Sequence, residues 1–445
     1  MGNHKDTIAA IATPVGQGGI SVIRISGTDA MSIISKIFRK NDSNHILKSH
    51  HIYYGKIVNE RKIIDDVLVS VFLKPKSYTG EDVVEISCHG GMFVTQKVLQ
   101  QVLNNGARHA KRGEFTQRAF MNGKMDLTEA EAVVDLINAK TAHTLESAIN
   151  QLEGRLYISI KKILQKLIEI RSNVELDIDF SDQELGEETD DERRKALVEI
   201  KTQIESLIST GNQGIILNEG YRVAIAGPAN AGKSSVFNRI IENERSIVTD
   251  IAGTTRDYIE EDIALEGYLV KIYDTAGLRE SKDTIEKYGM NKTLEIISNA
   301  HLILWIEDST VSRETFPELM RKMNIIRVKN KVDLLNNPSM ITDGIPVSAK
   351  TGEGIQELKN LIVNNISIEE YDLSKGLISN SRQLAAVEKS NVAIKNAIQA
   401  LDDSRGLEFL AFDLREASEH LEEVIGKVTS EEIINSIFDR FCVGK

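Results

Sequence analysis

Residues 227–234 constrain the fold more than any other part of the chain. They read Gly-Pro-Ala-Asn-Ala-Gly-Lys-Ser and match the pattern GxxxxGK[ST]. A strand-like run precedes them and a helical pattern follows, which is the setting that a phosphate-binding loop requires. In such a loop the backbone amides surround phosphate oxygens, Lys233 reaches the β- and γ-phosphates, and Ser234 binds Mg²⁺. The motif therefore predicts a nucleotide site on an α/β domain.

The segment around this loop alternates short apolar runs with amphipathic helical patterns. Alternation of this kind predicts a parallel sheet covered by helices. The apolar runs are 221–226, 269–273, 302–306, 325–328 and 345–347. We assign residues 218–375 to this α/β domain.

Further phosphate motifs follow along the segment. Residues 274–277 read Asp-Thr-Ala-Gly, in which Asp274 is expected to hold Mg²⁺ through water and the Gly277 amide to contact the γ-phosphate. Residues 253–257 read Gly-Thr-Thr-Arg-Asp, and their spacing favours Thr255 as a contact to both Mg²⁺ and the γ-phosphate, which orders the loop only with a triphosphate bound.

Two later motifs predict recognition of guanine. Residues 330–333 read Asn-Lys-Val-Asp, and the Asp333 carboxylate can accept two hydrogen bonds that guanine supplies and adenine does not. Residues 348–350 read Ser-Ala-Lys and are expected to lie behind the base. The motifs occur in the order that is typical of a GTPase domain.

The groups that promote hydrolysis are less clear from the residues alone. Leu278 stands where small GTPases carry a glutamine that orients the attacking water, so another group must do so. Glu280, Asp283 and Glu286 are nearby carboxylates. Positive charge at the transition state can come from an arginine or from a monovalent cation, to which Asn230 offers an oxygen ligand.

The rest of the chain has a different pattern on each side of residue 121. Residues 1–120 alternate strand-like runs with a helix over 94–105 and predict an α+β domain. Residues 121–217 and 376–445 show helical periodicity, weakened at Gly154, and predict one all-α domain with the α/β domain inserted in it. Thr128 and Glu131 have the spacing of a capping box at the start of this helical part.

Composition excludes several classes of protein. No run of apolar residues is long enough for a membrane-spanning helix, and two cysteines are too few for a disulfide scaffold. We therefore expect a cytoplasmic protein that does not associate with a membrane. The net charge of −12 argues against a uniformly basic surface. Residues 1–120 nevertheless hold 16 lysines and arginines against 10 aspartates and glutamates.

Over its full length the chain resembles the MnmE (TrmE) family of tRNA modification GTPases. The residues that carry the resemblance are 6–9, 12–14, 18–19, 24–27, 78–82, 89–91, 113–115, 118–120, 251–257 and 441–445. The resemblance implies an α+β N-terminal folate-binding domain, an all-α helical domain and an inserted α/β P-loop GTPase domain. It also implies a homodimer formed through the N-terminal domains, GTPase domains that pair transiently, and a flavoprotein partner, MnmG.

The same resemblance implies the reaction. GTP hydrolysis would drive a conformational cycle, and 5,10-methylene-tetrahydrofolate would donate the carbon of an aminomethyl-type group at C5 of the wobble uridine of certain tRNAs; 5-formyl-tetrahydrofolate is an analogue of this donor. Potassium would be held by Asn230, Thr249, Ile251 and Thr254, and Mg²⁺ by Ser234 and Thr255. Glu286 would orient the attacking water.

The remaining site residues are also implied by the resemblance. Folate would contact Arg24, Glu85, Lys124 and Lys445. The full set of expected GTP contacts comprises Asn230, Ala231, Gly232, Lys233, Ser234, Ser235, Thr249, Asp250, Ile251, Ala252, Gly253, Thr254, Thr255, Asp274, Thr275, Ala276, Gly277, Asn330, Lys331, Asp333, Ser348, Ala349 and Lys350.

Two questions stay open from the residues. Cys442 is either a reactive thiol, activated by nearby Lys445, or a packed thiol, whereas Cys88 is expected to be structural. A GTP-dependent switch in RNA assembly, like the Era and EngA groups, is the alternative function. A membrane-remodelling GTPase is disfavoured because no lipid anchor or strongly basic amphipathic helix is evident.

Overall fold

A computed structural model describes residues 6–40, 47–179, 189–242, 259–275, 294–311, 323–335, 341, 343–366 and 377–445. The chain divides into two compact units, one formed by residues 1–134 with 415–445 and the other by residues 135–414. Domain boundaries at 121, 218 and 376 stay a prediction. None of the helices within the described ranges is long and apolar enough to cross a membrane.

Among its described residues, the first unit is built on a seven-stranded sheet with the order β3-β4-β5-β6-β2-β1-β7. Isoleucine and valine side chains of the central strands pack against α1 and α2 and form its core. Its elements are β1 (Ile8–Ile11), β2 (Ile20–Ser26), α1 (Ala30–Ile37), β3 (Phe38–Lys40), β4 (His51–Asn59), β5 (Lys62–Phe72), β6 (Val83–His89), α2 (Met92–Asn104), β7 (Arg108–His109), α3 (Glu114–Met121) and α4 (Leu127–Asn138), the last of which ends in the other unit.

The C-terminal residues complete this first unit. Phe438 and Phe441, near the last helix, pack with Leu127 and Ala130 of α4. An isolated antiparallel bridge joins Arg112 to Val443, so that the final residues lie beside the start of α3. The last two helices are α12 (Leu407–Ile425), which begins in the other unit, and α13 (Glu431–Phe438).

The start of α4 corrects the expected capping box. The helix begins at Leu127, so Thr128 and Glu131 lie inside it and do not cap it. Asp126 is the capping residue: its Oδ1 accepts hydrogen bonds from the backbone N–H groups of Thr128 (2.7 Å) and Glu129 (3.1 Å). The Glu129 carboxylate accepts in turn from the Asp126 N–H at 2.8 Å. The box is therefore shifted by two residues, because the short aspartate reaches the first free amides.

In the part of it that the structure describes, the second unit combines helices with a six-stranded sheet whose order is β13-β12-β11-β8-β10-β9. Its helices flank the sheet in the sequence, and Gly154 separates two of them as expected. Its elements are α5 (Ala142–Leu152), α6 (Arg155–Asp179), α7 (Asp190–Glu219), β8 (Tyr221–Ala226), α8 (Lys233–Ile241), β9 (Ile259–Leu265), β10 (Tyr268–Asp274), α9 (294–299), β11 (Leu302–Asp308), β12 (Ile325–Asn330), β13 (Ile345–Pro346), α10 (Ile355–Asn365) and α11 (Ser381–Asp402).

The five apolar runs of the α/β segment all form strands, and their pairings are parallel. The sheet also contains β9, which the sequence reasoning missed and which pairs antiparallel with β10. The charged run of three acidic residues in β9 (Ile-Glu-Glu-Asp-Ile-Ala-Leu) is typical of an edge strand, whereas continuous apolar runs mark strands buried on both faces. The carboxyl ends of β8, β10, β11 and β12 therefore lie along one edge of the sheet.

Candidate functional sites

The phosphate loop leads from β8 into α8. Gly232, the residue before the helix, has a φ of +89° that few side chains adopt, and a Cβ there would lie 2.3 Å from Nδ2 of Asn330. Asn230 also has a positive φ, +63°, which asparagine tolerates better than most residues. The Lys233 ammonium donates to the Pro228 carbonyl at 2.7 Å. The Lys233 side chain thus bonds to the backbone of its own loop. Ser234 lies exposed in the first turn of α8.

Asp274 lies beside this loop because of strand register. β10 runs parallel to β8, with Asp274 next to Ile225, and the Thr275 hydroxyl donates to the Ile225 carbonyl at 2.7 Å. Asp274 is only 1% exposed. A buried carboxylate one strand from an exposed Ser234 hydroxyl gives the hard oxygen donors that Mg²⁺ prefers, so these residues fit that ion.

Asn330 connects the phosphate loop with the predicted base-binding loop. Its Nδ2 donates to the Ala231 carbonyl at 2.9 Å, and its Oδ1 accepts from the Ala349 N–H at 3.1 Å. The side chain is buried, so both bonds are protected from water. Asn330 therefore holds the two loops in one arrangement.

Lys331 makes the second connection to the phosphate loop. Its ammonium donates to the Asn230 carbonyl at 2.9 Å and to Asp308 Oδ2 at 2.6 Å. Burial would raise the pKa of Asp308, but hydrogen bonds from Lys331 and Thr310 outweigh burial and hold the pKa below its usual range. Asp308 therefore remains charged and fixes the Lys331 side chain in place.

Asp333 is oriented by the last motif. The Ser348 hydroxyl, which is fully buried, donates to Asp333 Oδ1 at 2.7 Å. Arg239 of α8 donates to the carbonyls of Ala349 (3.0 Å) and Lys350 (2.7 Å), so the loop is tied to the helix that starts at the phosphate loop. The structure thus brings the phosphate motif and both guanine motifs to one edge of the sheet.

Other expected nucleotide and metal residues lie outside the described residues. They are Thr249, Asp250, Ile251, Ala252, Gly253, Thr254, Thr255, Ala276, Gly277, Leu278, Glu280, Asp283 and Glu286. Their roles stay predictions. Ser235 is described and lies exposed next to Ser234.

A second site lies in the first unit, where Arg24 and Glu85 face each other on neighbouring strands. β2 and β6 pair antiparallel with these two residues in register, and the Arg24 Nε donates to Glu85 Oε1 at 2.9 Å. The two side chains are 15% and 28% exposed, so the pair is shielded but open to a ligand. The Arg24 guanidinium carbon lies 5.2 Å from the centre of the Tyr78 ring and 5.7 Å from that of Phe115.

The C-terminal residues bring Lys445 to this pair. The Gly444 carbonyl accepts from Arg24 Nη1 at 3.4 Å, and the Lys445 carbonyl accepts from the Phe115 N–H at 3.2 Å. Burial lowers the pKa of the Lys445 ammonium, and the Arg24 guanidinium adds to the effect. Two cations thus stand beside one carboxylate, which suits a ligand with anionic and hydrogen-bonding groups such as a folate.

Lys124 and Cys442 are placed differently from this cluster. The Lys124 ammonium donates to the Pro75 carbonyl at 3.1 Å, on the loop that also carries Tyr78. Cys442 is exposed, so its interpretation as a packed thiol is wrong, while a reactive role stays a prediction. Cys88 is buried and its thiol donates to the Ser21 carbonyl at 3.5 Å, in agreement with a structural role.

Sequence reasoning missed several residues that build these sites: Asp308, Arg239, Tyr78 and Phe115. Asp308 could have been found, because it ends a buried strand at the carboxyl edge of a parallel sheet, where ligands bind. The two aromatic residues are separated from Arg24 by more than fifty positions. They lie in segments 78–82 and 113–115, which carry the family resemblance, but no local pattern there indicates a contact with Arg24.

Family models match almost the whole chain. The model described as "GTP-binding protein TrmE N-terminus" matches residues 7–124, and the model described as "MnmE helical domain" matches residues 127–442. Over 33% of the chain, the solved G domain of the T. maritima FeoB iron transporter aligns with a TM-score of 0.24 and 24% identity, a similarity too low to carry an argument.

Curated relatives are similar from end to end. A protein named tRNA modification GTPase MnmE from Carboxydothermus hydrogenoformans is 42% identical over 99% of this chain and 100% of its own. A protein of the same name from Geobacillus thermodenitrificans is 40% identical over 99% of this chain and 99% of its own. Another from Cytophaga hutchinsonii is 39% identical over 100% of this chain and 98% of its own.

Proposed function

The chain belongs to the MnmE family of tRNA modification GTPases, and from this premise we propose how its two sites are used. It is a GTPase that acts in tRNA modification. We propose that it works with the flavoprotein MnmG, as a homodimer in a larger complex. Together they add an aminomethyl or carboxymethylaminomethyl group at C5 of the wobble uridine of certain tRNAs.

In this proposal the Arg24 site holds 5,10-methylene-tetrahydrofolate, which supplies the carbon. The observation that carries it is the meeting of Arg24, Glu85 and Lys445, brought from the two ends of the chain into one shielded cluster. The cations pair with the ligand's carboxylates, and Glu85 accepts hydrogen bonds from its pterin edge. Lys124 contributes a further cation from the Tyr78 loop.

At the nucleotide site, this chain's residues bind and orient GTP. Lys233 and the loop amides hold the phosphates, Ser234 and Thr255 hold Mg²⁺, and Asp333 selects guanine. Bound Mg²⁺ supplies positive charge to the phosphate oxygens. Glu286 orients the attacking water.

Potassium binding by Asn230, Thr249, Ile251 and Thr254 is the proposed source of further positive charge and of GTPase-domain pairing. We expect Asn230→Ala to abolish the stimulation of GTP hydrolysis by potassium over sodium. Steady-state hydrolysis in each salt measures this effect, and Asn238→Ala, an exposed asparagine on α8, is the control. Undiminished stimulation would remove Asn230 as a ligand.

The experiment that tests the function is mass spectrometry of tRNA nucleosides from cells with and without the protein. We expect the loss of C5-aminomethyl-type wobble uridines, restored by the natural chain and by Glu280→Ala but not by Glu286→Ala. An unchanged nucleoside profile would favour a switch in RNA assembly. Restoration by Glu286→Ala would instead separate the modification from hydrolysis.

A further inference from the structure

Arg24 is held on several sides, and the two aromatic groups among its neighbours are not among the residues expected to bind the ligand. Its guanidinium lies within 6 Å of the centres of both the Tyr78 and Phe115 rings, the distance at which an aromatic face attracts a cation. The Arg24 Nε–H donates a hydrogen bond to Glu85, and Nη1–H donates one to the Gly444 carbonyl. Within the described part of the chain Nη2 makes no hydrogen bond, so it can reach a ligand.

Tyr78 is itself fixed by a hydrogen bond and by packing against the buried apolar cluster that contains Phe115. Its hydroxyl is hydrogen-bonded to the Thr116 hydroxyl at 2.8 Å, and this bond attaches the ring to α3. Burial raises the pKa of Tyr78, so the phenol stays neutral and presents an uncharged face to Arg24.

The loop that carries Tyr78 is anchored by buried polar groups. Glu81, three residues on, accepts from both the Ser26 hydroxyl (2.7 Å) and Arg118 (3.2 Å), and Arg118 is only 1% exposed. The Thr79 carbonyl accepts from Asn122 Nδ2 at 2.7 Å. These bonds fasten the loop to β2 and α3 and thereby fix the position of Tyr78 beside Arg24.

We propose that Tyr78 is a positioning residue for the anionic, folate-type ligand of this site, acting by holding the Arg24 guanidinium at the orientation in which it meets the ligand. The inference rests on the proposed function of the Arg24 site. It adds a residue that touches the guanidinium rather than the ligand, and it gives the aromatic ring the main role and the hydroxyl a minor one.

The test measures the binding of 5-formyl-tetrahydrofolate to the full chain by calorimetry. Tyr78→Leu is expected to raise the Kd about tenfold, because it removes the aromatic face. Tyr78→Phe keeps the ring and is expected to stay within about twofold of the natural chain. Tyr157→Leu is the matched control, since it removes a ring 5.5 Å from the Lys161 ammonium in the other unit and should leave the Kd unchanged.

A second measurement separates positioning from a general structural effect. In an Arg24→Ala background, Tyr78→Leu should no longer change the Kd, since the group that it positions is gone. An equal loss in both backgrounds, or an unchanged Kd in Tyr78→Leu alone, overturns the inference. If thermal unfolding shows that Tyr78→Leu does not fold, Tyr78→Met takes its place, with a similar volume and no aromatic face.

The natural chain decides the proposed function separately. If it binds no 5-formyl-tetrahydrofolate, the folate proposal fails and the inference fails with it. If it binds and only the Tyr78 variants disagree with expectation, the inference alone fails.

Discussion

The nucleotide site and the Arg24 site are assembled in different ways. The nucleotide site consists of short motifs, each following one strand, and the parallel order of the strands brings them to one edge. The Arg24 site is built from residues of β2 and β6, a loop, a helix start and the C-terminal residues, with up to 420 positions between bonded partners. The residues of the nucleotide site can be recognised from short sequence motifs. The residues of the Arg24 site come together only when the unit folds, so no short motif identifies them.

One glycine in each site offers the most direct way to break this comparison. A Cβ at Gly232 would lie 2.3 Å from Asn330 Nδ2, and one at Gly444 would lie 2.2 Å from the Ile11 carbonyl oxygen. Both residues also have positive φ, +89° and +100°. We expect Gly232→Ala to weaken GTP binding about 100-fold and Gly444→Ala to weaken folate binding about tenfold, because strain and a clash act together.

Each variant should leave the other ligand's affinity unchanged. Nucleotide fluorescence titration and folate calorimetry on both variants measure the four values. Gly91→Ala is the control, because a Cβ there meets nothing within 4 Å and its φ is −80°. Loss of both affinities in either variant would mean that the sites do not fold independently.

The comparison also explains what the sequence could predict. The strands of the α/β domain and the loops after them follow from apolar runs and from motifs whose chemistry is local, so Asn330 and Ser348 could be placed before the structure was seen. Even there, the Lys331–Asp308 pair was missed, because Asp308 belongs to no motif.

The Arg24 site could not be derived in the same way. Arg24 and Glu85 lie side by side because β2 and β6 are neighbours in an antiparallel sheet. The sequence of neither strand predicts which strand pairs with it. Only the family resemblance pointed to Arg24 and Glu85 as site residues. Tyr78 and Phe115 lie in segments that carry the same resemblance, but it assigned neither of them a role in the site. The capping box at α4 was predicted two residues too late for a smaller reason: the spacing of Thr128 and Glu131 does not fix the first residue of the helix, which is Leu127.

Guanine selection sharpens the comparison at an intermediate size of effect. Asp333→Asn replaces a carboxylate that accepts two hydrogen bonds by an amide with one donor and one acceptor, so GTP affinity should fall at least tenfold while xanthosine triphosphate gains. Ser348→Ala keeps the carboxylate but removes the bond that orients it and should cost only a few fold. Competition titrations with both nucleotides measure this; retained preference for guanine in Asp333→Asn would contradict its role.

The last prediction concerns how the two units respond to acid. His301, at the start of β11, accepts a hydrogen bond from the Arg222 N–H through Nδ1 at 2.9 Å. Burial, together with the Arg222 guanidinium, lowers the pKa of His301 from 6.5 to about 4. In the first unit Arg108 and Arg118 outweigh burial and hold the pKa values of Asp6 and Glu114 below 3.8 and 4.5.

The unfolded chain binds a proton at His301 before the folded chain does, so this contribution to stability is complete above pH 6.5 and is lost as the pH falls toward 4. The contribution of the first unit's carboxylates to stability is lost only as the pH falls below their unfolded pKa values. Between pH 6.5 and 5 the sheet around His301 should therefore weaken, by at most about 2 kcal/mol. The chain has a single tryptophan, buried Trp305 in β11, whose fluorescence during urea unfolding reports on this sheet. His301→Asn, which can keep the acceptor without titrating, should remove the pH dependence, and the exposed control His109→Asn should not; an unchanged slope in His301→Asn would assign the acid sensitivity to other groups.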